Sequence, residues 1–257
     1  MRIAVVALLA LFFLLAHTRV DIETDSEGRL LKPGGSPVAT FREDVEEWKV
    51  PLDVHIMYYS LTLLLNLPKL TNLDRSKCPD ALDCLSQLVV PAMSVTGPKV
   101  NFTLSYIGTP TDPDDGVSCK HGPSECLGNT IELCAAKLYP DPKMYLGFTL
   151  CMTREYPRIP DRELVHNCAL EYGISFEELN ECASKDDGAY GIGLLRDSVR
   201  HSSAVNATIS CTVRLDGEKR CVRDGGEWKE CEKGSEVKNL VDEIEKLWAE
   251  KNGKDEE

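Results

Sequence analysis

Positive charge is in short supply in this chain. Of its 257 residues, 29 are Lys or Arg and 42 are Asp or Glu, a formal balance of −13. A surface of that sign repels phosphate backbones, and no basic stripe offsets it locally, so nucleic acid is excluded as a partner. The acidity reads as solubility. Long apolar runs are missing beyond the first residues, so nothing after them is expected to span a bilayer, which takes about 20 residues. There is no internal repeat, phosphate-cradling Gly loop, zinc-protease helix or Ser/His/Asp arrangement. Asp114-Asp115 and Asp186-Asp187-Gly188 lack the ligand spacing of a calcium loop and read as turns. Neither a metal nor a cofactor is expected. The Cys-x-x-Cys motif is absent too: the two nearest cysteines, Cys78 and Cys84, stand six positions apart.

Cysteine itself is plentiful, with eleven residues. Arg2 followed by an apolar run over residues 3–16 has the make-up of a secretory leader, cleaved near Ala16 to Thr18; the alternative is an uncleaved anchor. A leader delivers the chain to an oxidising compartment, where thiols pair or do redox chemistry. In that setting the sequons at Asn101 and Asn206 become glycosylation candidates. Eleven is odd, so at least one thiol is unpaired or bonds another chain. Cys78 is the candidate for it, while Cys221 and Cys231 are expected to close the Gly225-Gly226 loop.

Residues 19–49 are polar and carry Lys32-Pro33-Gly34-Gly35-Ser36-Pro37, which reads as a linker or propeptide-like arm. Residues 50–57 alternate like a strand. So do residues 100–107, where Val100, Phe102, Leu104 and Tyr106 share a face. Residues 124–200 read as mostly helical, with a capping box at Ser175 and Glu178 and another helix over 188–199. Ile209, Cys211, Val213 and Leu215 alternate, Asp216-Gly217 turns, and residues 219–222 return, which predicts a hairpin with a loop longer than the minimal one. Ser235 caps a terminal helix striped by Val237, Leu240, Val241, Ile244, Leu247 and Trp248.

The order strand, cysteine-bearing helix, strand, helical insert, hairpin, helix predicts an α/β fold. It is a thioredoxin-like sheet with an inserted disulfide-rich helical subdomain. The expected bounds are a leader at 1–18, the linker at 19–49, one domain at 50–232 with the cysteine-rich insertion at 119–200, and a terminal helix with charged tail at 233–257.

One run stands out: Cys119-Lys120-His121-Gly122-Pro123-Ser124-Glu125-Cys126-Leu127-Gly128-Asn129, closing at Cys134. It resembles the signature of the gamma-interferon-inducible lysosomal thiol reductase family, which is Cys-Gln-His-Gly, two residues, Glu-Cys, two residues, Asn, four residues, Cys. Only Lys120 departs, standing where Gln is usual. The order of Cys151, Cys168 and Cys182 is similar as well. By its residues the signature reads as a scaffold whose cysteines staple the insertion to the sheet, each closure stabilising by about 3 kcal/mol. Gly122 serves a turn. His121 reads as no metal ligand, because an oxidising compartment favours disulfides over zinc thiolates.

The resemblance implies a reaction centre after the first strand, where the family carries Cys-x-x-Cys at a helix start. The helix N-terminus lowers the pKa of the first thiol, and the second resolves the mixed disulfide. Cys78-Pro79-Asp80-Ala81-Leu82-Asp83-Cys84 supplies the first half, with Pro at an early helical position. Ala81 occupies the resolving place. Cys84 lies about 9 Å further along a helix axis, beyond the roughly 7 Å that a disulfide spans. Asp80 and Asp83 would oppose ionisation of Cys78.

Cys78 is therefore expected as the nucleophile, with Cys84 as its partner. Cys211 is a second possible resolving partner, since Ser210-Cys211 falls where such folds usually place a cis-proline. The implied activity is reduction of protein disulfides in the secretory or a lysosome-like pathway, with disulfide-bonded proteins or small thiols as partners. The alternative is a secreted, non-catalytic binding module that has lost the dithiol. One stretch does not fit the family. Residues 58–75 read as an insert of eighteen residues, either a retained intron or a genuine loop or lid over the thiol.

Overall fold

The computed structural model describes residues 66–111 and 116–253. The leader, the linker and the strand expected over 50–57 lie outside the described residues.

The first strand is β1 (Lys69–Asp74). It is the hub of a five-stranded sheet ordered β2-β1-β5-β6-β7. β2 (Asn101–Tyr106) runs parallel to β1, whereas β5 (Thr212–Leu215), β6 (Glu218–Asp224) and β7 (Glu227–Lys229) follow in antiparallel succession. A parallel pair needs a crossover. Here it is α1 (Pro79–Cys84), a π-helical turn (Leu85–Val89) and α2 (Val90–Thr96). A terminal helix of sixteen residues, called α8 below (Val237–Asn252), packs its buried Leu240 and Ile244 against this crossover. A β-α-β unit joined to an antiparallel hairpin and a helix, in this strand order, is the thioredoxin-like arrangement.

The insert reading of residues 58–75 fails where the structure describes it, since 69–74 form the central strand. The period-2 pattern is masked by chemistry. Leu70, Asn72 and Asp74 share a face, and all three are buried, so polar residues stand where an ordinary strand shows apolar ones. The β5–β6 hairpin is also tighter than its sequence implied. Leu215 pairs with Glu218 across Asp216 and Gly217, both at positive φ (52° and 90°), which is the minimal two-residue turn.

Between β2 and β5 the chain makes a small ladder, β3 (Thr109–Pro110) with β4 (Val117–Ser118), and then five helices. These are α3 (Pro123–Leu138), α4 (Pro142–Arg154), α5 (Arg162–Glu171), α6 (Phe176–Ser184) and α7 (Ala189–Ala204). At α6 the Ser175 hydroxyl accepts the Glu178 N–H as the capping pattern predicts (3.2 Å). α7 covers the outer edge of the sheet: the Tyr106 N–H donates to Ser198 Oγ (2.7 Å), and Ser202 Oγ donates to the Tyr106 carbonyl (2.7 Å). A strand edge is thereby satisfied by side chains rather than left open.

Five disulfides account for ten of the eleven cysteines. Cys119–Cys126, Cys134–Cys182 and Cys151–Cys168 all close inside the helical insertion. None staples it to the sheet, contrary to the expectation from sequence. Cys221–Cys231 closes the β6–β7 region as expected. Among the described residues no helix is long and apolar enough to cross a membrane.

Candidate thiol site

β1 delivers the chain to a turn at Arg75-Ser76-Lys77-Cys78, closed by the Cys78 N–H on the Arg75 carbonyl (3.1 Å). Cys78 is the N-cap of α1. Its backbone is extended (φ −111°, ψ 129°), and its carbonyl accepts the N–H groups of Ala81 (3.1 Å) and Leu82 (3.4 Å). Pro79 opens the helix at a position whose N–H has no helical partner. Cys78 is the one unbridged cysteine and is 9% exposed. Ala81, in the resolving place, is buried.

The structure separates the sulfurs that the sequence grouped. Cys84, at the far end of α1, is bonded to Cys211, just ahead of β5, with Cα atoms 6.2 Å apart. Both are wholly buried. Neither is a free partner for Cys78, which corrects the expectation for both residues. The Ser210–Cys211 peptide bond is cis, at the position aligned from sequence.

The two carboxylates expected to oppose Cys78 are engaged elsewhere. Asp80 accepts the backbone N–H groups of Gly225 (3.0 Å) and Gly226 (2.8 Å). Asp83 is held by Arg223 through Nη2 (2.5 Å) and Nε (3.1 Å). Both interactions tie α1 to the β6–β7 hairpin.

The signature run lies against the Cys78 turn. The Ser76 N–H donates to Asn129 Oδ1 (3.0 Å), and Ser76 Oγ donates to the Glu125 carbonyl (3.3 Å). Lys77 Nζ reaches the carbonyls of Pro157 (3.0 Å) and Ile159 (2.6 Å). Gly128 faces the same turn: a Cβ there would meet Ile159 Cγ2 at 2.3 Å and Ser76 Oγ at 2.8 Å. Gly122 adopts φ +83°, as its turn role requires. His121 pairs through Nδ1 with the carboxylate of Glu125, whose side chain is fully buried. No group of three or more His, Cys, Asp or Glu with metal-holding geometry occurs among the described residues. The sequon residues Asn101 and Asn206 are both exposed.

Two further acids are buried, Asp74 just ahead of the turn and Glu132 on α3. Burial pushes Asp74 up to about 6, against the stabilising bonds from Ser210 Oγ (2.6 Å), the Arg75 N–H (2.8 Å) and Asn72 Nδ2 (3.2 Å). Burial pushes Glu132 up to about 8, although the Tyr106 hydroxyl donates to it. Asn72 Oδ1 in turn sits 2.9 Å from Cys211 Sγ and 3.6 Å from Cys84 Sγ. Sequence reasoning missed Ser76, Gly128, Asp74 and Glu132. Only Gly128 and Glu132 carried any signal, since both fall inside the signature span.

Known proteins similar to this chain fall into sequence relatives and solved structures. Residues 69–172 match the family model described as gamma interferon inducible lysosomal thiol reductase (GILT). A GILT-like protein of Caenorhabditis elegans is 28% identical over 151 residues, covering 56% of this chain and 45% of the relative. GILT-like protein 1 of Drosophila melanogaster is 26% identical over 130 residues, covering 44% and 52%. The chain thus spans about half the length of these relatives. Among solved structures, oxidised BdbD of Bacillus subtilis aligns with a TM-score of 0.48 at 15% identity, over 70% of this chain and 87% of that one. The reduced disulfide bond oxidoreductase DsbG of Mycobacterium tuberculosis gives 0.47 at 14% identity, over 72% and 80%. The matched span runs from β1 through the Cys78 turn and the signature helix to the end of α5, so over that span this chain is similar to the GILT family.

Proposed function

We propose that this chain is a thiol–disulfide oxidoreductase that works with a single thiol. The observation that carries this reading is the placement of Cys78: the one unbridged cysteine stands at the start of the helix that follows the first strand. In the reaction, the Cys78 thiolate attacks a substrate disulfide. One substrate sulfur becomes bonded to Cys78, and the other leaves as a thiolate. With Ala81 in the resolving place and Cys84 bonded to Cys211, a small external thiol completes the cycle. Its thiolate attacks the substrate sulfur of the mixed disulfide, returning Cys78 as thiolate and leaving a substrate–small-thiol disulfide.

Five disulfides support an oxidising route, secretory or lysosome-like. An N-terminal leader and glycans on the exposed Asn101 and Asn206 belong to the same reading. A second reading is a non-catalytic binding module, favoured by the low exposure of Cys78 and by Ala81.

Reduction of insulin disulfides with a small thiol as co-reductant decides between them. Wild type is expected to exceed the small thiol alone, and Cys78→Ser to fall to that background. Equal rates for the two proteins would leave the binding module.

A further inference from the structure

We infer that Asn129 is the positioning residue of the Cys78 thiol: its amide oxygen holds the backbone of the turn that carries the sulfur, so the helical insertion sets how the sulfur is presented. The inference deepens the single-thiol reading of the same site and rests on it.

Every residue ahead of Cys78 in the turn is gripped from another part of the molecule. Arg75 Nη2 donates to the Thr208 carbonyl (2.9 Å), and Lys77 Nζ reaches the Pro157 and Ile159 carbonyls. These contacts are made by the ends of long side chains, which follow a moving turn without resisting it. The Ser76 hydroxyl donates to the Glu125 carbonyl (3.3 Å), a bond of the side chain and not of the backbone. The bond from the Ser76 N–H to Asn129 Oδ1 is different, because it fixes the backbone two residues before the sulfur. Ser76 is 2% exposed, so water does not readily replace that acceptor.

Asn129 is itself held. It is wholly buried, and its Nδ2 lies 3.8 Å from Cys119 Sγ of the Cys119–Cys126 bridge. That contact orients the amide with its oxygen toward Ser76. Gly128 then lets the α3 backbone approach as closely as it does, since a Cβ would collide with both Ser76 and Ile159. The signature is therefore one device: a bridge orients an amide, and the amide fixes the thiol turn from a close approach that only glycine allows.

The test is the rate at which iodoacetamide alkylates Cys78 in the native full chain at one pH, read by mass spectrometry. Asn129→Ala is expected to raise that rate about fivefold or more by freeing the turn, with all five bridges intact and the rate insensitive to low urea. Gly128→Ala, which removes no hydrogen bond, is expected to act in the same direction. Ser76→Ala, which keeps the N–H, is expected to stay within about twofold of wild type. A wild-type rate in both Asn129→Ala and Gly128→Ala would overturn the inference. So would acceleration that tracks global unfolding in urea, since that marks support of the fold alone. Alkylation is read without any substrate, so failure of the reductase reading leaves this result standing.

Discussion

Cys84 and Cys211 are bonded to each other, tying the end of α1 to the entry of β5 across 127 positions of sequence. The sulfur that stands six residues after Cys78 thus belongs to the framework. The site is left with one thiol, one buried alanine and a turn clamped by the insertion.

Ala81→Cys should restore what this chain lacks. Ala81 is 1% exposed and sits three positions after Cys78 on the first turn of α1. The expected outcome is a sixth disulfide, Cys78 to the new thiol, seen by peptide mapping. A single turnover of insulin reduction by the reduced variant should then need no small thiol, which serves only to reduce the new disulfide for the next turnover. A variant that folds with both thiols free would show that Cys78 does not occupy the first place of a Cys-x-x-Cys geometry.

Replacing Cys84 and Cys211 together by Ala should lower stability without touching the thiol. A closure of 127 positions constrains the unfolded chain by up to about 5 kcal/mol on the chain-entropy account. The urea midpoint is expected to drop sharply while the Cys78 alkylation rate in native buffer stays within about twofold of wild type. Loss of insulin reduction with an unchanged urea midpoint would instead make the pair a resolving dithiol.

Stability should fall as pH rises from about 5 to about 8. Asp74 and Glu132 are both raised in the fold, to about 6 and about 8, against ordinary values of 3.8 and 4.5. Between those values the unfolded chain has released protons that the folded one still binds. The contribution of each acid is therefore full below its unfolded pKa and is lost as pH rises through its folded one. Glu132→Gln should flatten the upper part of this slope in thermal melts. An unchanged slope would mean that Glu132 is ionised inside the fold.

Asp83→Asn should destabilise by about 1–2 kcal/mol, because it strips a charged partner from Arg223, whose side chain is only 12% exposed. Lys238→Ala breaks an ion pair of exposed groups, with Asp242, and should leave the urea midpoint unmoved. Equal effects of the two changes would show that Arg223 finds another partner.

Much of this could be read from the chain because it rests on local rules. The signature run, the strand ending at Tyr106, the cap at Ser175, the turn at Asp216-Gly217 and the stripe of α8 each follow from spacing or turn chemistry. The free Cys78 and the Cys221–Cys231 pair followed from parity and proximity. β1 was hidden because Asn72 and Asp74 are buried polar groups whose partners, Ser210 and Cys211, lie more than 130 positions away. The Cys84–Cys211 bridge was hidden for the same reason, since no spacing along the chain announces a bond made by tertiary packing. The clamp on Ser76 depends on a helix that begins some fifty residues downstream, and so only its Gly and Asn were visible beforehand.

The three bridges of the insertion each begin and end within it. Covalently, the lobe hangs from the sheet by only two strands of chain, one after β2 and one before β5. A protease cutting once in each would release it whole, under non-reducing conditions, as a cross-linked body still carrying the entire run from Cys119 to Cys134.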